Sequence, residues 1–292
     1  MRDISLVTDS CSDLSKEQAE KWGIRIIPTP VHFDEETYYD REDISLEEFY
    51  ERLDDGANPS TSQISPEKFQ EVFRNELQAG NEVIAICFSS KLSGIFKSAV
   101  IAKNEIGSDR VAVIDSRSAS IGLGMTVIQA AEQRNNGASR EEIIDTVERK
   151  SRFRQHIFAV GSLEMLKRGG RISGGKAFVG NILNIKPILH IEDGEILPLS
   201  RVRGKNKMLK YIVDQLEERC TENSVPEIVG ISHSNDRKLA EKLEKRIENR
   251  HKNVARFIQG EIGAAVGAHV GSGTACLFFQ GEEPAADPEV VI

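Results

Sequence analysis

The sequence predicts an α/β protein of two domains: a parallel sheet flanked by helices, then a second α/β unit with a largely antiparallel sheet. Three observations predict it. Short apolar runs alternate with capped helical segments through the first 150 residues, the pattern of a parallel sheet with helices on both sides. Asp193-Gly194 then separates two apolar runs, a hairpin signal that brings antiparallel pairing into the second half. And 292 residues exceed one ordinary domain of roughly 100–200. The expected domains are residues 1–150 and 151–292, with a ligand cleft between them, where ligand sites are common.

The elements follow in order. Residues 4–8 read as a strand. Ser15-Lys16-Glu17-Gln18 is a capping box, in which hydroxyl and amide satisfy orphan backbone donors at a helix start, and Gly23 ends that helix. Residues 24–33 form a second apolar, β-branched run. Ser45-Leu46-Glu47-Glu48 is another capping box and opens a helix carrying Phe49 and Leu53. Residues 56–65, rich in Gly, Asn, Pro, Ser and Thr, read as a loop. Pro66 suits a first helical turn, and Phe69, Val72, Phe73 and Leu77 make one apolar stripe. Runs at 83–88 and 111–114 read as strands covered on both faces. Ser139-Arg140-Glu141-Glu142 is a third capping box, opening another helix. Beyond residue 150 the reading is a strand at 157–160, a short cationic helix at 163–169, and a hairpin of 188–191 with 196–199. A helix with Met208, Leu209, Ile212, Val213 and Leu216 follows. Strands at 227–232, 254–258 and 274–279 alternate with helices at 235–249 and 261–269.

Composition narrows the function classes. No apolar run approaches the ~20 residues of a membrane span. The first residues carry no apolar signal core, and Cys11, Cys87, Cys220 and Cys276 are widely spaced with no CxxC pair. Both features point to reduced thiols and a cytoplasmic location, and away from zinc or redox motifs. The net charge of −8 argues against nucleic acid as a partner. The charge is uneven, however. Residues 167–207 hold nine Lys or Arg against three acids, so this window is +6 and the remainder −14. Such asymmetry fits an anionic partner: a phosphate, a membrane surface touched transiently, or an acidic protein face. It equally fits a charged surface balanced by acids from elsewhere in the fold.

Four stretches carry candidate chemistry. Pro59-Ser60-Thr61-Ser62-Gln63 offers hydroxyl donors for an anion, or simply turn-forming side chains. Ser89-Ser90-Lys91-Leu92-Ser93-Gly94 lies between a strand and a helix, at the carboxyl edge where open α/β sheets bind ligands. Ser93 serves there as an N-cap, a ligand contact, or both. Residues 170–177, G-R-I-S-G-G-K-A, nearly match a phosphate loop. Ala177 stands where the metal-binding hydroxyl belongs and no strand precedes, so nucleotide hydrolysis is not expected. Residues 263–273, G-A-A-V-G-A-H-V-G-S-G, place His269 among small residues that leave space around its ring. No second ligand lies at metal spacing. A Ser93/His269/Asp9 triad is conceivable, though no G-x-S-x-G elbow supports it.

Taken in order, Thr8-Asp9-Ser10 with Asp13-Leu14, the loop 59–63, the stretch 89–94, Lys167-Arg168-Gly169-Gly170-Arg171-Ile172, Ile185-Lys186-Pro187-Ile188-Leu189 and Gly267-Ala268-His269-Val270-Gly271-Ser272-Gly273 resemble the DegV family of bacterial fatty-acid-binding proteins. Ser272 stands where relatives often have Pro. The resemblance spans nearly the whole chain and implies a DegV-like two-domain fold holding one long-chain fatty acid, such as palmitate, stearate or oleate, between the domains. It implies no cofactor, no metal and no catalytic residue. The chain would be the lipid-presenting subunit of a bacterial fatty acid kinase, serving phospholipid metabolism, with ATP chemistry left to a separate kinase partner. By motif, Thr61, Ser93, Gly94 and His269 would hold the carboxylate. Arg171, Arg201 and Arg203 would face the head group or the kinase. Burying a ~16-carbon tail releases on the order of 11 kcal/mol gross, part of it offset by ordering costs. A serine-dependent esterase and a binder of phosphorylated small molecules are the alternatives.

Overall fold

The computed structural model describes residues 3–172, 184–220 and 226–282. Its elements run β1 (Ile4–Asp9), α1 (Lys16–Trp22), β2 (Ile24–Ile27), β3 (Pro30–Phe33), β4 (Glu36–Tyr39), α2 (Leu46–Asp54), β5 (Ser60–Thr61), α3 (Pro66–Gln78), β6 (Glu82–Cys87), α4 (Ile95–Ile106), β7 (Val111–Asp115), α5 (Ile121–Asn135) and α6 (Arg140–Arg152). The second half adds β8 (Arg154–Ala159), α7 (Glu164–Arg168), β9 (Ile185–Glu192), β10 (Glu195–Arg203), α8 (Lys205–Glu218), β11 (Ile228–His233), α9 (Arg237–Arg250), β12 (Arg256–Glu261), α10 (Ala264–Val270) and β13 (Ala275–Gln280).

Strands β2-β1-β6-β7 form an all-parallel sheet, and β10-β9-β8-β13-β11-β12 a six-stranded one in which only β11 and β12 run parallel. The Asp193-Gly194 turn joins β9 to β10 with both residues at positive φ, 48° and 84°, as a two-residue hairpin with the sheet's twist requires. The caps at Ser15 and Ser139 are reciprocal. At Ser45 only half the box forms: Ser45 accepts from the Glu48 N–H, while the Glu48 carboxylate pairs with Arg52 instead.

The two faces of the large sheet serve different cores, and strand alternation sorts them. On β13, Ala275, Leu277 and Phe279 pack with α8 and α9, while Cys276 and Phe278 join a core continuous with the parallel sheet. One apolar core therefore runs through both halves.

Three readings are corrected. The run 24–33 is two strands in two sheets. Pro28 and Pro30 lack the N–H donors a continuous ladder needs, and β3 leaves to form a small antiparallel sheet β4-β3-β5. The 56–65 loop contains β5, which pairs Val31 with Thr61. Helix α5 gave no sequence signal. Ten of its fifteen residues are buried, so no polar face marks a period of 3.6. Gly124 on α5 lets it approach the Ser12 carbonyl, where a Cβ would stand 2.7 Å away. The phosphate-loop-like stretch lies outside the described residues from residue 173 on, as does Lys176 of the basic window.

Candidate functional site

A narrow, largely apolar cavity with about 790 Å³ of space, open solvent at its mouth included, lies between the two sheets. Phe88 and Ile95 line it from the first half, and Phe158, Ile191, Ile196 and Phe278 from the second. Polar atoms in the wall satisfy one another. His156 Nε2 meets the Ser118 hydroxyl at 2.6 Å and Nδ1 faces the Arg154 carbonyl at 3.1 Å, so Nδ1 carries the proton. Burial, with the Arg154 cation adding to it, pushes His156 down to about 3 and keeps it neutral. Ser120 bonds Asp13 and Ser232, and Cys11 touches Thr29. The wall thus makes little hydrogen-bonding demand on an apolar ligand.

Thr61, Ser62, Ser93, Arg171 and His269 also line the cavity. They come from four places: strand β5 with the residue after it, the turn between β6 and α4, the segment after α7, and helix α10. Thr61 Oγ1 and His269 Nε2 lie 2.8 Å apart across the two halves. His269 Nδ1 is buried without a partner. A proton there would be an orphaned donor, costlier than a bare lone pair, so Nε2 carries it and donates to Thr61. The threonine hydroxyl is then free to donate to an anion. Burial, aided by Arg171 and Arg168, pushes His269 down to about 4, so it is neutral at pH 7. The Arg171 guanidinium is held by the carbonyls of Leu92 and Gly169.

Other expected residues fall differently. Ser93 is not the N-cap of α4: Gly94 occupies that position and makes no side-chain cap, while Ser93 Oγ accepts from the Ile95 N–H at 3.3 Å. Gly94 adjoins the cavity without lining it, and a Cβ there would fall 1.6 Å from Gln63 Oε1, so Gln63 fills the space. Arg201 and Arg203 sit on edge strand β10, opposite Pro187 and Ile185. At about 3.3 Å per residue, Arg201 is roughly 17 Å along the strand from Ile196 in the cavity wall. The triad is not built. Asp9 accepts from the backbone N–H groups of Phe88 and Cys11, at 2.8 and 3.1 Å, and among the described residues no carboxylate orients His269. Nor do the small residues of α10 leave space around His269. They allow close packing: a Cβ at Gly267 would lie 2.8 Å from Phe49, and at the end of α7 a Cβ at Gly169 would lie 2.3 Å from His269 Nδ1.

Sequence reasoning did not assign the groups that hold α10 in place. The first half grips the backbone just ahead of it. Gln18 donates to the Gln259 carbonyl at 3.0 Å, Arg41 to Glu261 at 2.5 Å and Tyr50 to Ile262 at 2.8 Å. Asp13 and Asp40 accept from the N–H groups of Gly263 and Ala264, at 2.7 and 2.8 Å. Burial raises both carboxyls, Asp13 to about 7, against the pull of Arg41. Asp13 belongs to the first motif above, but its 250-residue reach to Gly263 leaves no local trace. Among the described residues no cluster of His, Cys, Asp or Glu fits a metal ion, and no helix is long and apolar enough to cross a membrane.

Comparison with known proteins agrees with this architecture. The profile of the family described as "uncharacterised protein, DegV family" matches residues 3–282. A DegV domain-containing protein of Caldanaerobacter subterraneus is 40% identical over 243 residues, 83% of this chain and 86% of that one. The structure of a fatty-acid-binding DegV family protein from Thermus thermophilus superposes with a TM-score of 0.86 at 34% identity, covering 97% of this chain and 100% of that one. A stearic acid-binding protein from Eubacterium ventriosum superposes at 0.84 with 27% identity, covering 95% and 97%. With nearly its whole length matched by the family profile and its architecture shared with these structures, this chain belongs to the DegV family.

Proposed function

We propose that this protein binds one long-chain fatty acid in the cavity between its two sheets, with the tail in the apolar part and the carboxylate against Thr61 and His269. The observation that carries this reading is the pairing of an apolar cavity with a single polar wall in which Thr61 and a neutral His269 meet at 2.8 Å. The ligands named for the Thermus and Eubacterium proteins support the same class. Ser93 and the Gly94 N–H complete the carboxylate site in this reading, and Arg171 lies beside it. A carboxylate needs donors, since burying it unpaired is prohibitive. Hydroxyls and a neutral imidazole supply them while leaving the head group reactive. Residues 1–150 and 151–292 act as the two domains that enclose the lipid.

The chain serves as a non-catalytic, cytoplasmic lipid carrier that presents the carboxylate to an ATP-dependent kinase, which forms the acyl phosphate. Arg201 and Arg203, away from the cavity on β10, suit a docking surface for that kinase or for a membrane surface. Charge reversal at both is expected to slow acyl-phosphate formation with a partner kinase several-fold, more at low salt than at high salt, because exposed charges are screened over ~8–10 Å. Lipid binding should stay unchanged. If neither reading changes, the two arginines form an ordinary solvated face.

Mass spectrometry of the gently extracted protein tests the central claim, and the expected result is one co-purified fatty acid. Thr61→Ala and Ser93→Ala should each weaken retention by about 10–100-fold, the worth of one charge-assisted hydrogen bond of roughly 1.5–3 kcal/mol. Retention equal to the parent in both variants overturns the carboxylate assignment. Turnover of nitrophenyl esters by the protein alone, lost in Ser93→Ala, would establish an esterase instead.

A further inference from the structure

A second, polar cavity lies where β8 and β9 part. The two strands pair only from Ile157 to Ala159, against His190 to Ile188. Toward Arg154, β8 stays on β13, while β9 stays on β10 as far as Glu192. The fork between them holds about 650 Å³ of space, open solvent at its mouth included. Ile191 belongs to the wall of both this cavity and the apolar one.

Four arginines line the fork: Arg117, Arg152, Arg154 and Arg219. Arg154 is 4% exposed, and only its Nη2 is used, donating to Gln129 Oε1 at 2.9 Å. Its Nε and Nη1 have no partner, and neither does Nδ1 of the adjacent His190. Among the described residues no carboxylate contacts Arg154. Burial alone pulls it down to about 10, so it stays cationic at neutral pH. A buried cation with unused donors is costly unless an acceptor joins it. The two acids in the lining do not meet that need: Asp193 pairs with Arg117 at 3.3 Å, and Glu192 lies exposed at the hairpin end. Arg219 gives Nη1 to Gln155 and Nε to Gln215. Four guanidiniums against two carboxylates leave a formal charge of +2.

We propose that this fork is a binding site for a phosphate dianion, free or as a monoester on a small molecule, with Arg154 at its floor and Arg117 and Arg152 at its mouth. The charge matches that of a phosphate monoester above its second pKa of about 6, and of the dianionic form of free phosphate. Guanidiniums suit phosphate better than ammonium groups do, because their planar forks bond two oxygens at once. The site is separate from the apolar cavity and stands whether or not a fatty acid binds there.

Calorimetric titration at pH 7.5 with inorganic phosphate and, separately, glycerol 3-phosphate tests the proposal. Saturable one-site binding is expected for at least one of them. Tighter binding of the ester identifies a phosphorylated metabolite as the source, and equal binding identifies free phosphate; either supports the site. Arg117→Gln with Arg152→Gln, both toward the surface, should weaken binding at least about tenfold, and Arg154→Met should abolish it. If Arg154→Met does not fold, the double variant decides alone. Arg201→Gln with Arg203→Gln, remote from the fork, should leave the affinity unchanged, as should all these variants the retention of fatty acid. Absence of saturable binding in the parent up to about 10 mM of either probe, or an unchanged affinity in the double variant, overturns the proposal.

Discussion

Asp13→Ala is expected to lower the unfolding free energy by about 2–4 kcal/mol, because it strands the buried Gly263 N–H and removes the ion-pair partner of Arg41. Asp13→Asn separates geometry from charge. Its Oδ1 can keep the Gly263 bond, and the Ser120 hydroxyl can turn to accept from the amide. The pH dependence then has a definite sign. Burial raises the folded carboxyl to about 7 from an ordinary 3.8. Between those values the folded state holds more protons than the unfolded chain, so this group's contribution is full below pH ~4 and is lost as pH rises through 7. The gap between parent and Asn variant in urea unfolding should therefore shift in favour of the variant from pH 5 to pH 8. His156 and His269, both lowered by burial, slope the opposite way below pH 6.5, but they are common to both proteins and cancel in the comparison. A pH-independent gap would place the Asp13 carboxyl in its ordinary ionised form.

Gly169→Ala is expected to disable the polar wall of the cavity. Its backbone is helical, with φ near −71°, so alanine is conformationally acceptable there. The new Cβ, however, would lie 2.3 Å from His269 Nδ1, well inside contact distance. The imidazole must shift, and the 2.8 Å contact of Nε2 with Thr61 is lost. Overpacking of this kind costs about 1–3 kcal/mol of stability. Fatty-acid retention should fall at least as far as in Thr61→Ala, since both the histidine and the oriented hydroxyl are disturbed. Because the effect runs through His269, His269→Ala combined with Gly169→Ala should be no weaker in retention than His269→Ala alone. Additive losses in that pair would mean that Gly169 acts by another route.

The local signals in this sequence were dependable where the physics is local. Capping hydroxyls, the Asp193-Gly194 turn and the stripe of Phe69, Val72 and Phe73 each act within a few residues, and each produced the expected element. The order of the motifs was enough to indicate the family. What the sequence by itself determined is therefore the alternation of most elements, the largely antiparallel sheet of the second half, and a short list of polar residues in turns. Only the tertiary structure decided which of these meet. Thr61 and His269, 208 residues apart, come together because β5 joins β3 and α10 is gripped by Asp13, Asp40 and Tyr50. Arg171 enters the cavity wall while Arg201 and Arg203 stay on an edge strand, although all three share one basic window. Helix α5 escaped notice because it is buried on nearly every side, and the fork at Arg154 because its charge belongs to four separate elements and loops. In each case the deciding interaction joins residues distant in the chain, and periodicity, which reports only on neighbours within a turn or a pleat, carries no record of it.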